Sequence, residues 1–124
     1  MSARILVVDD LEANRRLLEA MLTADYYDVL MASRGEEAVQ LAKREKPDLI
    51  LLDVMMPGGI DGYEACRRLK AMPETRHIPV VILTTLDDRE NRVRGLQAGA
   101  EEFLTKPIDD VQLMARVKSL LTLK

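Results

Sequence analysis

Leu49-Ile50-Leu51-Leu52-Asp53 is four large apolar residues ending on a carboxylate, followed by Val54-Met55-Met56-Pro57. A short apolar run with no polar alternation reads as a strand buried on both faces. A charge at its end is costly unless paired. The pattern recurs. Ile5 to Val8 ends on Asp9 and Asp10, Val80 to Leu83 ends on Thr84, and Phe103 to Thr105 ends on Lys106-Pro107. A more polar run, Val29 to Met31, supplies a fifth strand nearer an edge. In an open parallel sheet the C-terminal strand ends form one edge, and ligands bind in the crevice beside it.

Helical patterns separate the runs. The first has Leu11, Leu18, Met21 and Leu22 on one face, ends near Ala24, and has Asp10 as its candidate cap. Gly35 to Glu45 turns Ala38, Val39, Leu41 and Ala42 inward and stops at Pro47. Gly58, Gly59 and Gly62 precede a helix with Tyr63, Cys66 and Leu69. The fourth helix, from about Arg89 to Ala98, has little beyond Val93 and Leu96 to bury, and Gly99 fits its C′ position. It should be loosely held. The fifth, from about Asp109, is expected to bury Val111, Met114, Val117 and Leu121, leaving Leu113, Leu120 and Leu123 as surplus apolar surface. Strand–helix alternation predicts an α/β fold: one doubly wound, five-stranded parallel sheet in the flavodoxin-like order 2-1-3-4-5.

At 124 residues the chain fits one domain. A net charge of −3 argues against a nucleic-acid surface, which would need clustered Lys and Arg. No apolar run approaches the length of a membrane span. The single Cys66 excludes an internal disulfide and fits a reducing, cytoplasmic setting. Its place in a helical apolar stripe makes it core filler, and the lone His77 falls in a loop.

The predicted order makes strands one and three neighbours and gathers Asp9, Asp10 and Asp53. Strands four and five bring Thr84 and Lys106 to the same edge. Three converging carboxylates repel, and a hard divalent cation resolves the conflict. Mg²⁺ takes oxygen ligands and keeps waters; Mn²⁺ could replace it. Zinc is disfavoured because no Cys or His lies near. Asp53 can attack phosphorus, while Lys106 and Thr84 meet the new oxygens. Taken singly, Asp9-Asp10 reads as a helix cap, Thr84 as a strand end and Lys106-Pro107 as a turn. Together, in order at four strand ends, they read as a site.

The stretches ILVVDD (5–10), LILLDVMMPGGIDGY (49–63), IPVVILTT (78–85) and GAEEFLTKP (99–107) resemble the receiver domain of two-component response regulators, whose fold is CheY-like. The resemblance implies Asp53 as phospho-acceptor, and Asp10, Asp53 and the Met55 carbonyl as metal ligands, with Asp9 acting through water. It implies Thr84 as the switching hydroxyl, Phe103 as the switching aromatic and Lys106 as the lysine of the site. It also implies a cis Lys106–Pro107 bond. MSARILVVDD (1–10), TRHIPVV (75–81) and FLTKPIDD (103–110) look closest to the first receiver of PleD-type regulators, which join two receivers to a diguanylate cyclase output domain.

Two departures stand out. Gly58-Gly59-Ile60 makes the loop beside the metal one residue longer than usual, and Thr85 replaces a small residue at the site entrance. The expected partners are a histidine kinase or histidine phosphotransfer protein, a second receiver or output domain, and a second copy through the fourth and fifth helices. Arg89, Arg92 and Arg94 are candidate contacts there. The last helix runs to Leu123-Lys124 without Gly or Pro, so the chain is expected to be part of a longer regulator. Apolar Met55 and Leu86, at the two positions that could orient a hydrolytic water, predict slow autodephosphorylation. Three rivals remain. An Asp-nucleophile phosphohydrolase needs an acid where Met55 stands. A flavin carrier needs a hydroxyl- and Gly-rich loop where Asp9-Asp10-Leu11-Glu12 stands. A pure docking module has no use for the full set of polar residues.

Overall fold

Isoleucine, leucine and valine fill three strands so completely that water has no place beside them. These are β1 (Arg4–Val8), β3 (Leu49–Asp53) and β4 (Val80–Thr84). The computed structural model describes residues 2–85 and 89–122. Edge strands β2 (Asp28–Ala32) and β5 (Glu102–Thr105) complete one parallel sheet in the order β2-β1-β3-β4-β5. Five helices intervene: α1 (Glu12–Ala24), α2 (Gly35–Glu45), α3 (Gly62–Ala71), α4 (Arg89–Gln97) and α5 (Asp110–Thr122).

Side chains alternate across the sheet with period two, which makes two cores. Ile5, Val7, Leu49, Leu51, Val81 and Leu83 face α1 and α5, where Leu18, Leu22, Leu113 and Val117 meet them. Leu6, Val8, Ile50, Leu52, Val80 and Ile82 face the other way, onto Ala38, Val39 and Ala42 of α2 and Ala65, Cys66 and Leu69 of α3. Each large side chain so buried contributes about 1.5–3 kcal/mol over leaving it exposed.

Register fixes the functional edge. Val8 lies opposite Leu52, so Asp9 and Asp53 emerge side by side. Asp53 pairs with Leu83, and Thr84 with Thr105, which carries Thr84 and Lys106 to the same end.

The helices depart from expectation in phase more than in extent. Leu11 is the residue before α1, 56% exposed rather than inward, and no side chain caps that helix. The helix starts one residue later than a cap by Asp10 requires, with Leu11 at the N-cap position, and Asp9 Oδ1 accepts from the Leu11 N–H at 2.9 Å. On α5 the expected stripe holds at Met114, Val117 and Leu121, which pack against the core, and fails at Val111. Val111 is 76% exposed, whereas Leu113 is fully buried and Leu120 packs partly against the core. Leu113 and Leu120, four and three residues from Val117, thus join Met114 and Leu121 in a wider inward stripe. The surplus-leucine surface therefore does not exist as anticipated, and Leu123 lies outside the described residues.

The long β3–α3 loop is braced by α2. The Ile60 N–H donates to Glu36 Oε2 at 3.2 Å, and the Arg34 guanidinium donates to the Gly58 carbonyl. Gly58 has φ +90°, a conformation that suits glycine. Gly62 permits a close backbone approach: a Cβ there would lie 2.8 Å from the Cα of Val54 and nearer still to the Asp53 carbonyl.

Candidate active site

Asp9 leaves β1 at 1% exposure and Asp53 ends β3 at 4%, so both carboxylates are held from below by apolar strands. Asp10 stands nearer the mouth. One carboxylate oxygen from each of the three lies within 4.8 Å of the others. Lys106, just past β5, sits between the two buried acids. Its Nζ is 3.2 Å from Asp9 Oδ2 and 3.1 Å from Asp53 Oδ1. The Lys106–Pro107 peptide is cis.

Two more α1 residues take part that the sequence reading did not single out. Asn14 brings its amide to 3.4 Å from Asp9 Oδ1, and Arg15 donates to the Asp9 carbonyl at 2.7 Å. The available signal was their place in the first turns of the helix that follows the acid pair.

The electrostatics follow from burial. Desolvation raises the pKa of Asp53 above the usual carboxylate value, and the Asp9 charge adds to it. The hydrogen bond and charge of Lys106, with the Met55 N–H, pull the other way without cancelling the rise. Burial works to lower the pKa of Lys106, but its bond to Asp53 and the two nearby carboxylates raise it overall, so it stays an ammonium. Among the described residues, Lys106 is the cation that contacts these carboxylates, which leaves the three acids short of positive charge. All-oxygen donors with no sulfur or imidazole fit a hard divalent ion, so Asp9, Asp10 and Asp53 can hold Mg²⁺.

A cleft of about 350 Å³ opens over this edge, walled by Asp10, Asp53, Met55, Thr85 and Lys106. Met55 is 60% exposed at its rim. A second cleft of about 380 Å³ continues along α1 past Asn14, Leu17 and Met21 to Pro107 and Ile108. Thr85 lines both. Thr84 is 1% exposed, on the same sheet face as Ile82 and Phe103 by strand alternation and register. Phe103 is half-buried against the α2/α3 core. Leu86 lies outside the described residues. Cys66 is inert filler: its buried Sγ is 3.4 Å from the Ala98 carbonyl, and burial pushes the thiol up to about 11.

Known proteins share this pattern. The response regulator receiver domain family matches residues 5–118. The response regulator PleD of Caulobacter vibrioides is 64% identical over 124 residues, which is all of this chain and 27% of that protein. The chain thus spans about a quarter of that relative's length. A solved receiver domain of a Syntrophus aciditrophicus histidine kinase superposes with a TM-score of 0.90 at 42% identity, covering 98% of this chain and 91% of that one. The receiver domain of a Pseudomonas aeruginosa sensor histidine kinase, solved with a magnesium ion in its active-site cleft, has a TM-score of 0.90 at 33% identity, covering 98% and 99%. With the match running from β1 into α5, the chain belongs to the response regulator receiver domain family of two-component signalling.

Proposed function

We propose that Asp53 accepts a phosphoryl group from the phosphohistidine of a histidine kinase or histidine phosphotransfer protein. The observation that carries the reading is Lys106 Nζ lying 3.1–3.2 Å from both buried acids, with Asp10 in the same cluster. Asp10, Asp53 and the Met55 carbonyl would hold Mg²⁺, with Asp9 acting through water. The ion supplies charge neutralisation around the phosphoryl oxygens. An Asp53 carboxylate oxygen attacks phosphorus, the P–N bond to the donor imidazole breaks, and its electron pair stays on the imidazole nitrogen. Lys106 moves from carboxylate to phosphoryl oxygen, and Thr84 donates its hydroxyl to another. Phe103 then fills the space that Thr84 leaves.

The chain acts as a switch whose only chemistry is on its own acyl phosphate, and Met55 in place of an acid disfavours a phosphohydrolase. The chain is the receiver part of a longer regulator, whose output, by its 64% identity to PleD and the resemblance to PleD-type regulators, is a diguanylate cyclase domain. Self-association through α4 and α5 is part of the same proposal. It rests on exposed Val93, Leu96 and Val111 in place of the buried Leu113. Sedimentation with and without beryllofluoride, a phosphoryl mimic, tests it, and a monomer in both states rejects it. Intact mass after acetyl phosphate, with and without Mg²⁺, tests the main reading. One phosphoryl group should be gained only with the metal and not in Asp53→Asn. Undiminished labelling of Asp53→Asn refutes the assignment.

A further inference from the structure

α4 has almost nothing to bury, yet it is seated by two aromatic rings from different elements. Gly95 is its buried residue. A Cβ on Gly95 would lie 3.2 Å from Cδ2 of Phe103 and 3.7 Å from Cε1 of Tyr63, so the helix backbone rests against both rings. Two arginines of the same helix close over those rings. The Arg92 guanidinium is 5.5 Å from the centre of Phe103, and that of Arg94 is 4.5 Å from the centre of Tyr63. Both are within cation–π range. Tyr63 adds a polar hold that Phe103 cannot. Its hydroxyl is 3.2 Å from the Asn91 carbonyl and 3.3 Å from Asn91 Oδ1, and donates to one of them at a time. Arg94 also stands 4.0 Å from Asp61, the residue whose side chain caps α3 through the Glu64 N–H.

The rings are tied to the phospho-acceptor by separate routes. Phe103 lies on β5, on the sheet face it shares with Thr84. Tyr63 lies in the first turn of α3, which is clamped to the segment just after Asp53. The Gly62 N–H donates to the Val54 carbonyl at 3.0 Å, and the Gly62 Cα abuts the Asp53 peptide too closely for any side chain. A displacement of the Asp53–Val54 backbone therefore bears directly on Gly62 and on Tyr63 beside it.

We propose that the first turn of α3 is a second mechanical link from Asp53 to α4, with Tyr63 as its positioning residue, parallel to the Thr84–Phe103 route. α4 shifts fully only when both seats are released. The regulatory half of this inference rests on the reading of Asp53 as the phosphorylated residue; the seating of α4 by Tyr63 does not.

The test is amide hydrogen exchange over residues 90–97 in the 124-residue chain, with and without beryllofluoride and Mg²⁺. Tyr63→Phe keeps the ring and deletes one hydrogen bond. It should speed exchange of those amides in the unliganded protein by roughly two- to tenfold, leaving β1 and β3 unchanged. Arg94→Gln, which leaves the buried ring untouched, should move the same amides in the same direction by less. Thr84→Ala should keep part of the beryllofluoride response of α4, and Tyr63→Phe with Thr84→Ala should lose it. Wild-type exchange of α4 in Tyr63→Phe, in both states, overturns the seat. Complete loss of the response in Thr84→Ala alone overturns the second link. If wild-type protein ignores beryllofluoride altogether, the phospho-acceptor reading is what fails, and the Tyr63 seat still stands or falls on the unliganded comparison.

Discussion

The sheet edge that carries the acids and the helix that lies nearest the rings are built on opposite terms. Ile5 to Val8, all of β3 and all of β4 are buried, so Asp9, Asp53 and Thr84 are fixed by strands that cannot move without opening both cores. On α4, Val93 is 41% and Leu96 is 66% exposed, and Gly95 alone is buried. The chemistry needs positions held constant, whereas a signal needs an element with little to lose by moving. The division of labour follows from where the chain spends its large apolar residues.

The largest expected effect comes from breaking the rigid side. Leu113→Glu places a carboxylate in the fully buried cluster of α5 against β1, β3 and β4. Stranding a charge there should cost more than about 4 kcal/mol and abolish cooperative unfolding. Leu51→Ala, a cavity in the same cluster, should cost about 2–5 kcal/mol. Val111→Glu, two residues from Leu113 but 76% exposed, should be nearly silent. Denaturant melts of the two α5 variants decide the phase of that helix, with Leu51→Ala as the buried reference; a stable Leu113→Glu would return the leucine to the surface.

Metal binding should come next. A cation bound only by the folded state stabilises it by mass action, about 2.7 kcal/mol at a hundredfold excess over Kd. Asp10→Ala should lose most of the Mg²⁺-induced rise in Tm, and an equal rise in both proteins would remove Asp10 from the ligand set.

The buried acid then predicts a pH effect of defined sign. The pKa of Asp53 is higher in the folded than in the unfolded state because burial, then Asp9, disfavours its charge. The folded state therefore holds the proton more tightly, and this site weakens the metal-free fold as pH rises through the folded-state pKa. Asp53→Asn should melt above wild type at neutral pH without metal, with the gap closing as pH falls toward about 4. Saturating Mg²⁺ should shrink or reverse the gap. A metal-free Asp53→Asn that melts below wild type at neutral pH would show that the Lys106 contact outweighs desolvation.

What the sequence made legible follows the same divide. Strands buried on both faces have one reading, and their register alone carries Asp9, Asp53, Thr84 and Lys106 to a common edge. Helix phase is less determined. On α5 the stripes through Met114 and through Leu113 share Val117 and both meet the core, and only the packing of the helix onto the sheet leaves Val111 outside and brings Leu113 in. Asp10 fits the composition of a cap, but where the helix begins after β1 depends on the turn geometry, which puts Leu11 at the N-cap position. The Tyr63–Asn91 contact joins residues 28 apart, and a glycine inside a short helix reads as a defect until the two rings beside it are seen.

The smallest expected effect is the sharpest comparison with Leu51. Leu96→Ala deletes the same side-chain atoms as Leu51→Ala, but from a position that is 66% exposed rather than fully buried. No cavity forms, little apolar area returns to water, and alanine is at least as good a helix former as leucine. Stability should change by less than about 0.5 kcal/mol in either direction. The same substitution is thus worth several kcal/mol on β3 and almost nothing on α4. Equilibrium urea unfolding of the two variants side by side measures that ratio. A loss of more than about 1 kcal/mol at Leu96 would mean that α4 rests on the body through its apolar side chains and not through the Gly95 backbone. That result would contradict the view of α4 as a helix held mainly by two rings and a hydroxyl.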